Sequence, residues 1–157
     1  MIIIGDTCIN FIKQFEGLSL KPYQGAADAK GIITIGYGTI KYPPFYLGGK
    51  AVALIDPNIT EEQAADFLKY EVEAKCRNID AYLRDDLSEN QFAAVVSLTY
   101  NIGEWGFRNS SVLNRVQANK TDTKIRDAFM LWVKANGKVV EGLRRRRTAE
   151  ADLYFTV

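Results

Sequence analysis

A chain of 157 residues suits one domain, or one domain with a small lobe, and at this size roughly 70% of the unfolded chain's surface can be buried. Hydrophobic residues make up 47% and charged residues 25%, with no Gly/Ser/Pro-rich tract, which excludes a disordered chain. Twenty Lys and Arg against nineteen Asp and Glu leave a net charge of +1, and the complete lack of histidine excludes Ser-His-Asp or Cys-His catalysis, histidine-bearing zinc sites and a histidine pH switch.

Acid and base chemistry is therefore left to carboxylates, Lys, Tyr or Cys. Cys8 and Cys76 lie 68 positions apart, which matches no metal-ligand spacing and no disulfide framework. Both read as buried small hydrophobes, with a mutual pairing as the alternative. No apolar run reaches the length of a membrane span, and residues 1–15 lack the segments of an export leader. Synthesis in the cytoplasm without a signal peptide is the expectation. Positive charge gathers late in the chain: residues 104–147 hold eleven basic and four acidic side chains, a net +7. Such a stretch favours an anionic polymer, whether cell wall, nucleic acid or membrane surface, or else it is simply solvated helix faces.

In chain order, Asp6 caps a helix running to Glu16, with Ile9, Phe11, Ile12 and Phe15 at helical spacing and Gly17 ending it. Over residues 23–40 four glycines punctuate β-branched and aromatic residues, and Ile32 to Ile35 reads as strand, giving a β-hairpin or a three-stranded sheet. Residues 41–58, with Pro43-Pro44, Gly48-Gly49 and several aromatics, form a long loop. Thr60-Glu61-Glu62-Gln63 is a capping box opening a helix to about Ile79, with Ala64, Phe67, Leu68, Val72 and Cys76 inward. Ser88-Glu89-Asn90-Gln91 is a second one, and the apolar run from Phe92 to Tyr100 makes its helix the central one. Gly103 and Gly106 bracket a turn, Ser110 or Ser111 opens a short helix, and Asp122 or Thr123 opens another. After an Asn136-Gly137 turn, a helix from Leu143 to Phe155 ends the chain, Glu150 standing four residues after Arg146. The architecture predicted is α+β: one domain with a small β-hairpin-bearing N-terminal lobe over about 17–58, and a larger helical C-terminal lobe formed by 59–157 with the N-terminal helix 6–16.

Three polar residues stand where a groove between the lobes would lie: Glu16 closing the first helix, Asp28 in the glycine-rich stretch, and Thr34 in the following strand. Two carboxylates facing each other across a groove are the minimum for cleaving a glycosidic bond, one protonated to donate to the leaving oxygen and one ionised to activate water or attack the sugar. The same residues also read as a solvated helix end, turn chemistry and an ordinary strand former. Spacing alone leaves both readings open.

The segments around them resemble a known family. Phe15-Glu16-Gly17-Leu18-Ser19-Leu20-Lys21-Pro22-Tyr23 is similar to the F-E-G-x-x-L-x-x-Y of the phage-type lysozymes, the muramidases of glycoside hydrolase family 24. Asp28-Ala29-Lys30-Gly31-Ile32-Ile33-Thr34-Ile35-Gly36-Tyr37-Gly38 resembles the family's D-x-x-G-x-x-T-I-G-Y-G hairpin. Matches follow in order at Ile59 to Ala64, Leu87 to Phe92, Asn101-Ile102-Gly103 and Gly142 to Arg146. The resemblance implies a lysozyme-like fold and cleavage of the β-1,4 bond between N-acetylmuramic acid and N-acetylglucosamine, with no metal and no cofactor. It makes Glu16 the general acid, Asp28 its ionised partner and Thr34 the holder of the attacking water, with Tyr37 and Asn101 as substrate-binding residues. Tyr37 reads equally as sheet packing and Asn101 as a helix C-cap. A general acid working near neutral pH needs burial to raise its pKa.

The chain departs from the family pattern in two places. Eleven residues separate Glu16 from Asp28, three more than the family's spacing, so an insertion falls among Gln24 to Ala27. The aromatic loop 41–58 is also longer, lining extra sugar subsites or, in the favoured reading, covering the sheet. One of Arg144 to Arg147 could reach Glu16 or Asp28; salt links to Glu150 and Asp152 within one helix are the alternative. The expected partner is bacterial peptidoglycan, reached through a holin or another release route, with the chain a monomer and no nucleic acid bound. Two other functions stay open: lytic-transglycosylase-like cleavage by Glu16 alone, and a low-turnover wall-binding module of a phage tail or secretion apparatus.

Overall fold

The computed structural model describes residues 4–25 and 31–157, and the chain divides into two compact units: Ile12–Glu73, and Met1–Phe11 with Ala74–Val157. Small antiparallel sheets and seven α-helices make up the described residues, an α+β composition.

Helix α1 (Asp6–Lys13) carries Ile12, fully buried, into the first unit. It ends earlier than its apolar spacing predicts. The Ile12 carbonyl accepts from both the Phe15 and Glu16 amides, at 3.0 and 3.1 Å, and this tightened last turn closes the helix before Glu16 is reached.

Strand β1 (Ser19–Gln24) pairs antiparallel with β2 (Ile33–Gly36), placing Tyr23 opposite Thr34 and Gln24 opposite Ile33. The sheet has two strands, and β1 starts four residues before the expected hairpin. Its register slips between Ser19 and Tyr23, the stretch that contains Pro22, which has no N–H to give to a ladder. Gly36 turns the chain at φ +65, and a Cβ there would stand 3.3 Å from that of Ala64, so no other residue fits without strain.

The loop after the hairpin is tied rather than open. Lys41 bridges Ala51, and a 3-10 turn, Leu47–Gly49, shapes its tip. The rings of Tyr42 and Tyr46 lie 5.7 and 5.0 Å from Phe67 of α2 (Glu61–Ile79), so the loop packs on this helix. Phe45, Leu54 and Ile55 are left exposed. At its base the Asp56 carboxylate accepts from Lys50 Nζ (2.6 and 2.8 Å), the Ala53 amide (2.8 Å) and the Tyr42 hydroxyl (3.0 Å). The Lys50 hydrogen bond, then the Ala53 N–H, hold the Asp56 carboxyl below its ordinary 3.8. A carboxylate lowered on folding stabilises the fold above its unfolded pKa, and that stability is lost as pH falls through the lowered value. Asp56→Asn should therefore lower Tm by a few degrees at neutral pH, and the gap to wild type should close in melts run below the usual carboxylate range.

The second unit is helical; α2 begins in the first unit, where its capping box at Thr60 lies, and runs on into the second from Ala74. Both capping boxes form: Gln63 Oε1 accepts from the Thr60 amide (2.9 Å) while Thr60 Oγ1 accepts from that of Gln63 (3.1 Å), and Ser88 and Gln91 repeat the exchange. Helix α3 (Glu89–Ile102) is buried from Ala93 to Thr99, as its apolar run predicts, and ends at Gly103. Around it lie α4 (Glu104–Arg108), α5 (Ser111–Ala118) capped by Ser110, α6 (Ile125–Phe129) and α7 (Glu141–Tyr154). Gly106, expected in a turn, sits inside α4, where a Cβ would meet the Trp132 ring at 3.4 Å; close packing outweighs its poor helix propensity. The Asn136-Gly137 turn joins two further short strands, β3 (Lys134–Ala135) and β4 (Lys138–Val139). Cys8 and Cys76 are both buried and both thiols.

Candidate active site

Glu16 follows α1 through the turn on Ile12 and is half-buried. Its Oε2 lies 3.7 Å from where a Cβ on Gly38 would stand, so its carboxylate rests against the backbone of the turn that follows β2. Gly38 has φ +90 and takes no side chain without strain, which keeps that approach open. Thr34, in β2 itself, is half-buried and paired with Tyr23. Tyr37 is buried, and the Lys13 ammonium sits 5.6 Å from its ring centroid. Glu16, Thr34 and Tyr37 thus belong to one unit, gathered by the end of α1 and the hairpin. Asp28, with part of the insertion before it, lies outside the described residues.

Asn101 belongs to the helical unit. It is exposed in the last turn of α3, whose C-cap is Gly103, so Asn101 is not the cap. Its Oδ1 accepts from Arg147 Nη2 across 46 positions of sequence. Arg147 is fully buried and donates through Nη1 to Glu150 Oε1 at 2.7 Å. Glu150, also fully buried, accepts from Ser97 Oγ at 2.5 Å and from Arg146 Nε at 3.4 Å. Burial pushes the Glu150 carboxyl up, against the pull of Arg147, Ser97 and Arg146, and burial likewise pushes Arg147 down.

Much of the late positive charge is thereby spent within the fold. Arg146 and Arg147 serve Glu150, Arg144 pairs with Glu141, Arg115 with Asp122 and Lys120 with Asp86. Asp152, expected to answer the arginines of its own helix, pairs with Arg126 instead. Reading these side chains as solvated faces or a polymer-binding field misses the two that are buried.

Lys13 and Gly38 were not among the candidates. The three-residue step from Lys13 to Glu16 and the glycine closing the hairpin motif were the available signals. In the helical unit a hollow lined by Gly5, Cys8, Asp80, Arg84, Ser88 and Glu89 holds none of the candidates. Burial pushes its Cys8 thiol up to about 12, which removes it as a nucleophile near neutral pH.

Comparison with known proteins follows the same lines. The phage lysozyme family model matches residues 13–150. An endolysin of Bacillus phage PZA is 37% identical over 153 residues, 96% of this chain and 54% of the relative, so the chain spans about half the length of that protein. The endolysin of Salmonella phage P22 is 35% identical, with 99% of this chain and 100% of the relative covered. The crystal structure of a P22 lysozyme mutant superposes with a TM-score of 0.82 at 33% identity, over 99% of this chain and 100% of that one. A family pattern matched across both units, and a full-length fold match at such identity, leave one conclusion: the chain belongs to the phage lysozyme family.

Proposed function

We propose that this chain hydrolyses peptidoglycan at the β-1,4 bond between N-acetylmuramic acid and N-acetylglucosamine. Glu16 gives its proton to the bridging oxygen as the bond from that oxygen to the anomeric carbon breaks. Asp28, ionised, takes a proton from the water that adds to that carbon, and Thr34 holds the water, its hydroxyl accepting from water and donating to a carboxylate. If the outcome is inversion, the two carboxyls stand ~6.5 to 9.5 Å apart, leaving room for the water. Tyr37 and Asn101 bind the glycan. The chain acts as a monomer at the cell wall, after holin-type or other release from the cytoplasm, without cofactor or nucleic acid.

The observation that carries this reading is Glu16 resting against the backbone after the strand of Thr34, so the acid and the water-holding hydroxyl share one small scaffold. The lengthened path from Glu16 to Asp28 favours a second reading, in which Glu16 works alone and the sugar's own groups attack. Asp28→Ala separates the two. Under the first, release of soluble glycan fragments from purified sacculi falls by roughly a hundredfold or more; under the second the variant releases them at nearly the wild-type rate. Sedimentation with sacculi and no release by wild type would leave only a wall-binding module.

A further inference from the structure

We propose that the buried Glu150–Arg147 pair is a positioning device that locks the Asn101 carboxamide with its oxygen inward and its N–H2 outward, making Asn101 a donor to a carbonyl or carboxylate oxygen of the wall polymer. The inference rests on the proposed reading of Asn101 as a glycan contact and gives it a polarity.

The argument turns on what Arg147 can do. A guanidinium carries only donors and keeps its proton at every accessible pH. Arg147 is fully buried, and its Nη1 is held by Glu150. The group facing its Nη2 must therefore be an acceptor. A carboxamide has one end of each kind, and with N–H2 turned inward two donors would oppose each other inside the protein. Asn101 accordingly places Oδ1 on Arg147, and the exposed remainder of its amide is the donor end. A full positive charge behind the carbonyl polarises the amide and strengthens that donor.

Glu150 supplies the rest of the device. Its carboxylate engages Ser97 of α3 and both Arg146 and Arg147 of α7. Arg147 is fixed on α7 while Asn101 is the last-turn residue of α3, so the pair sets the amide relative to two rigid elements and not to a loop. Wall glycan offers matching acceptors in its acetamido carbonyls and in the carbonyl and carboxylate oxygens of its stem peptides.

Asn101→Asp is the discriminating variant. It keeps the size and the inward oxygen on Arg147, adds an ion pair, and exchanges only the outward N–H2 for an acceptor. If Asn101 merely satisfies Arg147, the variant is as stable as wild type or more so and its kinetics are unchanged. If the amide donates to substrate, KM rises about tenfold with kcat nearly kept. Glu150→Gln should raise KM in the same sense and add little on top of Asn101→Asp. Two altered substrates locate the acceptor: on de-N-acetylated sacculi, or on sacculi stripped of stem peptides, wild type and Asn101→Asp should become equal. Equal KM on untreated sacculi overturns the proposal, as does a KM gap that survives on both altered substrates. Co-sedimentation affinity is read alongside turnover. A chain that binds sacculi without cleaving them contradicts the hydrolysis, yet the affinity of Asn101→Asp still decides the polarity of the amide.

Discussion

Glu16→Gln should lower the rate of peptidoglycan cleavage by roughly 10³-fold, within the range a positioned general acid contributes, while leaving the melting temperature near that of wild type. Glutamine keeps the size and most of the hydrogen-bonding capacity of the side chain but has no proton acidic enough to transfer to a leaving oxygen. The bond from the Glu16 amide to the Ile12 carbonyl is main-chain and survives the change, and Glu16 is only half-buried, so the turn that ends α1 stays intact. The check pairs reducing-end release from sacculi with a thermal melt. A variant that melts normally and still cleaves at the wild-type rate removes Glu16 from the chemistry.

The largest effect on stability is expected at Glu150. Glu150→Leu strips the counter-ion from two buried guanidiniums at once, and breaking a buried pair by removing one partner costs about 3–5 kcal/mol. Urea unfolding measures the loss as a lower midpoint at unchanged slope. Adding Arg147→Met should recover part of it, since an apolar side chain of similar reach needs no counter-ion where Arg147 lies fully buried. Arg146, with 4% of its surface exposed, still bonds the Ser97 carbonyl, which limits the recovery. A cost below about 1 kcal/mol would match an exposed ion pair and contradict the central place given to Glu150.

Both experiments probe residues that the sequence revealed to different degrees. The capping boxes at Thr60 and Ser88 were legible because their reciprocal bonds span only three residues, and the burial of α3 followed from its uninterrupted apolar run. Hidden features depended on partners distant in sequence. Strand β1 begins at Ser19 because β2 pairs with it, although Pro22 and exposed Leu20 and Lys21 argue against a strand locally. The close of α1 is set by two amides sharing one carbonyl, while the helical spacing from Phe11 to Phe15 runs on past it. Four arginines in a row read as a surface, yet the i,i+3 and i,i+4 steps from Arg147 and Arg146 to Glu150 fold inward onto Ser97. The candidate acid and the strand threonine could be picked out from local motifs. The Arg147 contact that orients Asn101 could not, because it joins positions 46 residues apart.

The most direct test of the account is the mass of the muramic acid end released from purified peptidoglycan digested in heavy-oxygen water. Hydrolysis with Glu16 as acid predicts a reducing end that has gained one water and carries the heavy oxygen. An unlabelled 1,6-anhydro end would contradict it, since no water would then have attacked the sugar.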